Sequence, residues 1–318
     1  ETALAEAWLK RMLQAGVKPN IVSYNSLIYA CGRKGDVEGA EKWLHEAQAR
    51  GLAPRVTSYT AVVDACAKRG DMQRAEMWMQ KMVEVNVEPN VVSYGAMIDA
   101  CARAGNPVRA QHWHDTMLAN GVEPNAHSFS AVINAFAKAG DAAAACAQVQ
   151  KMEASGVAAD VVVYSGVLDA CAKANDTVRA KEVFAWMKTR GVRPNVVAYS
   201  ALARPFAHRG DWQEVERLAE EMSQQGFRMN EYFVYAQLMA YANAKPSQPD
   251  RAEAIFRESC AKGVEANKHI MMALSRALGR SKSTQLAREL KVWNPEEAAT
   301  ACAGRGKQPA AMRNRRVC

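Results

Sequence analysis

The sequence predicts an all-α fold, a right-handed α-solenoid of stacked two-helix repeats. Three observations predict it. The same residue types return every 35 positions. Within each period, apolar residues follow the i, i+3, i+4, i+7 rhythm of an amphipathic helix. The 318 residues are 49% hydrophobic and 23% charged, which excludes a disordered or fibrous chain. Length alone would suggest about two globular domains, but a repeat array displaces that reading because each repeat packs only on its neighbours. No apolar run approaches the roughly 18 residues of a membrane span, so no membrane partner is expected.

The period is plainest at the repeat ends. GVKPN ends at Asn20, GLAPR at Arg55, NVEPN at Asn90, GVEPN at Asn125, GVAAD at Asp160, GVRPN at Asn195 and GFRMN at Asn230, every interval being 35. The next interval, to Asn267, is 37, and the two extra residues are expected in AKPSQPD, where Pro246 and Pro249 forbid helix. Residues 1–20 then read as the second half of a truncated repeat and 21–230 as six full repeats. A divergent repeat spans 231–267, a degenerate capping repeat 268–293, and a basic tail, expected to be disordered, 294–318. The chain opens at Glu1, inside a repeat, so a fragment or trimmed chain is expected; no signal or transit peptide is visible.

Each repeat begins with an A-helix just after its predecessor's last residue. Its fourth residue is Tyr24, Tyr59, Tyr94, Phe129, Tyr164 or Tyr199, followed by an apolar pair such as Leu27–Ile28 or Val62–Val63. Gly35, Gly70, Gly105, Gly140, Asn175 and Gly210 stop this helix, since they tolerate left-handed backbone. Asp36, Asp71, Asn106, Asp141, Asp176 and Asp211 then cap a second, B-helix. Ala40, Ala75, Ala110, Ala145 and Ala180 let that helix approach its partner closely, and Trp8, Trp43, Trp78 and Trp113 are expected in the core rather than in a ligand cage. Gly-Val-x-Pro-Asn ends it.

Of eight cysteines, Cys31, Cys66, Cys101 and Cys171 share one repeat position. Stacked helices lie about 8–10 Å apart, and a disulfide needs Cα atoms within about 7 Å. These are buried small hydrophobes, and they point to a reducing compartment. His112 and His114 are two apart on a helix, about 200° around it, and cannot chelate together. No Cys-x-x-Cys, phosphate loop or paired carboxylates occur, so no catalytic residue, cofactor or metal is expected.

Net charge is +8, of which the tail from Cys302 to Cys318 supplies five through Arg305, Lys307, Arg313, Arg315 and Arg316. That tail reads either as extra affinity for a polyanion or as solvated charge. Bulk charge says little about the rest of the chain, so placement matters. The fifth residue of each A-helix and the last residue of the same repeat form the pairs Asn25/Arg55, Thr60/Asn90, Gly95/Asn125, Ser130/Asp160, Ser165/Asn195 and Ser200/Asn230. Amides and hydroxyls can read a base edge, and a carboxylate can accept from an amino group. Capping accounts for the Asn/Asp preference but not for the small polar residue five positions into each helix. The thirteenth residue is Arg33, Lys68, Arg103, Lys138, Lys173 or His208, on the stripe that carries the fifth. One cation per repeat matches one phosphate per nucleotide. The competing reading pairs Asp64–Lys68, Asp99–Arg103 and Asp169–Lys173 within their helices, at only about 0.2–0.5 kcal/mol each.

VVSYGAMIDACARAGNPVRAQHWHDTMLANGVEPN, residues 91–125, resembles a pentatricopeptide repeat of the P type. The tetratricopeptide repeat competes less well, because its period is about 34 and it lacks the Pro-Asn ending. The resemblance implies a monomeric, non-enzymatic protein that binds single-stranded RNA sequence-specifically, one base per repeat. It would serve RNA processing, stabilisation or translation in a chloroplast or mitochondrion, with RNA-processing proteins as further partners. Under it, Thr60/Asn90, Ser165/Asn195 and Ser200/Asn230 read adenine and Ser130/Asp160 reads guanine. Asn25/Arg55 reads a pyrimidine, with Arg55 departing from the family pattern, and Gly95/Asn125 reads weakly; Tyr235/Asn267 departs as well. With the N-terminal repeat at the RNA 5′ end, the implied core is 5′-pyrimidine-A-n-G-A-A-3′. The second residues Val22, Thr57, Val92, His127, Val162 and Val197 would wedge between bases; for His127, stacking and plain helix-entry packing both stand. The rival class is a helical protein-interaction scaffold.

Overall fold

The computed structural model describes residues 2–292, so the basic tail and its expected disorder lie outside the described residues. The described residues form helices joined by short turns, in two compact bodies divided between Pro194 and Asn195.

The N-terminal body holds α1 (Thr2–Gln14), α2 (Ile21–Lys34), α3 (Val37–Ala49), α4 (Val56–Arg69), α5 (Met72–Glu84) and α6 (Val91–Arg103). It continues with α7 (Pro107–Ala119), α8 (Ala126–Ala139), α9 (Ala142–Ala154), α10 (Val161–Ala174) and α11 (Thr177–Thr189). The C-terminal body holds α12 (Val196–Arg209), α13 (Trp212–Gln224), α14 (Glu231–Asn243), α15 (Pro249–Ala261), α16 (Lys268–Leu278) and α17 (Arg280–Glu289). Within each body, every even-numbered helix packs on the next even-numbered helix, and each odd-numbered helix packs against the even-numbered helices before and after it. The even series are A-helices and the odd series B-helices.

Local chemistry fixes the boundaries. Asn20 has extended backbone, and its Oδ1 accepts from the Val22 and Ser23 amides at 3.1 Å, which starts α2. At the other end Gly35 adopts φ +73°, while the Asp36 amide donates to the Cys31 carbonyl (3.0 Å) and the Gly35 amide to that of Gly32 (3.1 Å). That pair of bonds is a Schellman turn, which satisfies the carbonyls a helix end leaves over. Asp36, Asp71, Asn106, Asp141 and Asp176 cap the following B-helices as expected; Asp211 makes no such side-chain bond. Two positions, one inside α2 and one in a turn, take glycine because a neighbouring helix approaches closely. Gly32 lies so close to α4 that a Cβ would stand 2.7 Å from the Ala61 carbonyl oxygen. Gly210 combines φ +76° with a Cβ position 2.5 Å from the Asn243 carbonyl oxygen.

The core is the apolar stripe of each helix. Tyr24, Leu27, Ile28 and Cys31 of α2 are buried, as are their counterparts Tyr59, Val62, Val63 and Cys66 of α4. Burial pushes the Cys31 thiol up to about 11 and the Cys66 thiol up to about 12, so both act as hydrophobes. Trp43 and Trp78 lean on Tyr24 and Tyr59, with ring centroids 6.4 and 6.1 Å apart. Trp8 departs from the expected core role and is 61% exposed. In its neighbours the supporting tyrosine comes 19 residues earlier, and for Trp8 that position precedes Glu1. The longer turn after α14 falls in AKPSQPD, but Pro249 does not exclude helix there. It opens α15, where a missing N–H is tolerated.

Candidate nucleic-acid interface

The first turn of each A-helix carries the second residue outward. Val22, Val92, Val162 and Val197 are between 57% and 69% exposed, and Thr57 and His127 are exposed too. Plain packing therefore does not account for the β-branched residues there. The His127 ring is also exposed, and its Nε2 lies 3.1 Å from the Asp99 carboxylate of α6. Asp99 thus faces the next A-helix, whereas Asp64–Lys68 (2.5 Å) and Asp169–Lys173 (2.9 Å) form within their helices as expected.

The last residue of each repeat does the capping. Asn90 Oδ1 accepts from the Val92 and Ser93 amides at 3.0 and 3.1 Å, Asn125 from Ser128 at 3.0 Å, Asn195 from Ala198 and Asn230 from Phe233 at 2.9 Å. Capping commits the amide oxygen and leaves the Nδ2 hydrogens as what these residues offer elsewhere. Asp160 caps in the same way, accepting from Val162 (3.0 Å) and Val163 (2.9 Å) through Oδ1. It leaves a second carboxylate oxygen, an acceptor where the others hold a donor. Arg55 has no acceptor; its backbone amide donates to Ser58 Oγ at 3.2 Å.

Serines that sequence reasoning missed join the two members of some pairs. Ser58, Ser93 and Ser128, the third residues of their repeats, are fully buried. Ser58 donates to Asn25 Oδ1 at 2.6 Å, which ties Asn25 to the Arg55 backbone. Ser93 lies 2.6 Å from the Thr60 hydroxyl and donates to Asn90 Oδ1 at 3.2 Å, so Thr60 and Asn90 are linked through it. Ser200 bonds Asn230 directly at 3.2 Å. Where the third residue is Val163, which has no hydroxyl, no bridge joins Ser130 to Asp160 among the described residues. Ser130 and Ser165 donate to their own helices, at the Ala126 (2.6 Å) and Val161 (2.7 Å) carbonyls. The recurrence of serine at a third position was the signal; it resembled a second capping residue.

Gly95 lies in a cavity of about 430 Å³. Its walls include Thr57, Thr60, Asn90, Val92, Asn125 and His127, so second, fifth and last residues of consecutive repeats meet around one space. A Cβ on Gly95 would stand 3.6 Å from the His127 ring.

The thirteenth residues are less free than the sequence suggested. Lys68, Lys138 and Lys173 each donate to a carbonyl near the end of the preceding A-helix, at Gly32 (3.3 Å), Ala102 (3.3 Å) and Ala137 (3.0 Å). A cation at a helix C-terminus is favoured by the macrodipole. Lys138 keeps two more donors, and Lys68 and Lys173, which also hold Asp64 and Asp169, keep one each; all three lysines, with Arg33 and Arg103, remain exposed. His208 is no fixed cation: burial, then the Arg204 and Arg276 charges, lower its pKa. Among the described residues, no three His, Cys, Asp or Glu side chains converge to hold a metal ion, and no helix is long and apolar enough to cross a membrane.

Family models decide what this array is. A model described as the PPR repeat family matches residues 19–68, 54–103 and 89–138. A pentatricopeptide repeat domain model matches 1–34 and 148–208, and a PPR repeat model 127–157. The chain belongs to the pentatricopeptide repeat family. No curated protein matches its sequence. Among solved structures, the pentatricopeptide repeat protein PPR10 in complex with an 18-nt psaJ RNA element is 20% identical, with a TM-score of 0.55 over 90% of this chain. The pentatricopeptide repeat protein PPR10 from maize is 21% identical (TM-score 0.51, 94% of this chain, 54% of that one). Nuclear proteinaceous RNase P 2 from A. thaliana is 17% identical (TM-score 0.54, 61% of this chain, 43% of that one). The chain spans about half of the RNA-bound PPR10 chain, 47% of its length. These likenesses establish the fold, an all-α helical-repeat solenoid. The pentatricopeptide array here keeps one exposed second residue, one small fifth residue and one capping Asn or Asp in most repeats, with Gly95, Arg55 and Tyr235 as its departures.

Proposed function

We propose that this chain is a P-type pentatricopeptide repeat protein that binds single-stranded RNA sequence-specifically, one base per repeat, without catalysing a reaction on it. The observation that carries this reading is the pairing of a capping Asn or Asp with a short polar fifth residue beside an exposed β-branched or histidine side chain. Such a site holds a flat group between apolar walls and tests its edge with one or two hydrogen bonds. The capping bond explains how the last residue discriminates: with one oxygen committed to backbone, Asn offers a donor and Asp160 an acceptor. A solved pentatricopeptide relative in complex with RNA supports the same ligand.

The thirteenth-residue cations would meet phosphates with the donors that the helix-end carbonyls leave over. Bound RNA would be shielded from exonucleases or kept unpaired, which are outcomes of occupancy alone. Work in a chloroplast or mitochondrion, as a monomer and with RNA-processing proteins, follows from the family reading.

Asp160→Asn tests it. The cap survives, because Asn90 caps equally well, so stability should stay within about 0.5 kcal/mol. Affinities measured on RNAs that differ at the one nucleotide assigned to Ser130/Asp160 should shift from favouring G toward favouring A. A helical scaffold for proteins would show no nucleotide preference in either form.

A further inference from the structure

In the C-terminal body the repeat register continues while its exposed chemistry changes. The second residue is Val197 in α12, then Tyr232 in α14 and His269 in α16; the fifth is Ser200, then Tyr235, then Met272. Tyr232 is 65% exposed and Met272 56% exposed. The Tyr235 and His269 rings meet edge to face, with centroids 6.2 Å apart and planes at 83°. Folding does not require these rings at the surface, because Phe233, Val234, Ala236 and Leu238 fill the buried stripe of α14. Tyr232 and His269 are exposed and Tyr235 is half-buried, and large apolar side chains left at a surface in one register mark a place where something binds.

Two of these three helices, α12 and α16, carry cations in register. Arg204 of α12 and Arg276 of α16, both ninth residues of their helices, act together on His208. Lys268 is exposed at the start of α16, and the nearby acid Glu231 is held by the Asn267 amide at 2.5 Å.

We propose that Tyr232, Tyr235 and His269 form a stacking platform for one or two unpaired nucleotides that follow the one assigned to Ser200/Asn230, held without regard to base identity. This rests on the RNA reading above. A tyrosine at the fifth position presents a ring face where other repeats present a hydroxyl or an amide. Every base has a π-face to lay on such a ring, so the contact tolerates any sequence. The same repeat positions that face the proposed RNA in α12 carry the aromatics in α14 and α16, and α12 and α16 carry Arg204, Lys268 and Arg276. That continuity favours a nucleotide over an apolar protein segment.

The test compares an RNA that ends at the nucleotide assigned to Ser200/Asn230 with the same RNA extended by two nucleotides at its 3′ end, as AA, CC or UU. Extension should tighten binding about tenfold for each of the three. The double variant Tyr232→Ala, Tyr235→Ala should lose that gain and still bind the shorter RNA as before, whereas Tyr235→Phe should keep the gain. Melting curves of the variants exclude loss of fold. No gain on extension, a gain confined to one base, or a gain untouched by the double variant overturns the platform alone; the last two assign the patch to another role, such as docking a protein. Failure of the shorter RNA to bind overturns the platform and the RNA reading together.

Discussion

The two bodies repeat the same pattern of buried residues and differ in their exposed ones, and one position separates what the fold needs from what is added to it. In the N-terminal body Lys68, Lys138 and Lys173 donate to carbonyls at the end of the preceding A-helix. In the C-terminal body the equivalent residue is Asn243, which reaches the equivalent Ala207 carbonyl at 2.9 Å. An uncharged amide does the structural work, so the fold asks only for a donor. The fold therefore does not need the positive charge of Lys68, Lys138 and Lys173; under the proposed reading that charge meets a phosphate chain, whose charge recurs at the same spacing.

The largest expected contrast between the bodies lies in their A-helix stops. Gly140 and Gly210 share φ +76°, but a Cβ at Gly140 meets only the Lys173 Cβ at 3.6 Å, while one at Gly210 strikes the Asn243 carbonyl oxygen at 2.5 Å. Gly140→Ala should cost about 1 kcal/mol, the left-handed penalty alone, and Gly210→Ala about 3 kcal/mol or more. Urea unfolding measures both, and equal costs would remove the close approach of α12 and α14 from this account.

Next comes acid. His114 is buried in the N-terminal body against Phe129, and both ring nitrogens lack a partner. Burial is the main cause that lowers its pKa; Lys151 lowers it further, against an opposing push from Asp115. The unfolded chain therefore takes up a proton near pH 6.5 that the folded chain refuses. Stability from this residue is complete above about pH 7 and falls as pH drops through 6.5, by up to about 1.4 kcal/mol per pH unit. His114→Leu, matching Leu44 in the first full repeat, should stabilise by about 1–3 kcal/mol and flatten the slope between pH 7.5 and 5.5. A slope that persists in the variant would locate acid sensitivity elsewhere.

The smallest effect sharpens the comparison most. Lys173→Asn and Asn243→Lys exchange the two solutions. Each should leave stability within about 0.5 kcal/mol, because a donor to the carbonyl remains. The salt dependence of RNA binding should weaken by about 0.7 in log–log slope for the first and steepen as much for the second. A stability loss with no change in slope would make the lysines purely structural.

Much of the fold is legible in the sequence because it is local. Asn20, Gly35 and Asp36 set helix ends within three or four residues of themselves, and the helices begin and end there. What the sequence hid is contact between repeats. Lys68 was paired with Asp64 four residues away, but its second partner, Gly32, is 36 residues off. Spacing offers Asp99 a partner in Arg103 on its own helix, as the competing reading has it, but its carboxylate meets His127 on the next. The bridging hydroxyls of Ser58 and Ser93 likewise act on residues 33 positions earlier. Trp8 failed for the same reason, since its burial depends on a ring outside its own helix. Side-chain type fixed the face each residue occupies; only stacking revealed its partner.

The double duty of the closing residue has an evolutionary consequence. Asn90 and Asp160 start the next helix with the same atom, so one can replace the other without cost to the architecture. What changes is the sign of the group left over. Asn and Asp codons differ by a single nucleotide, so under the proposed reading one point mutation can retune a repeat to a different message while its stability is preserved. The narrow choice of residues able to cap keeps the recognition alphabet short and makes each letter easy to rewrite.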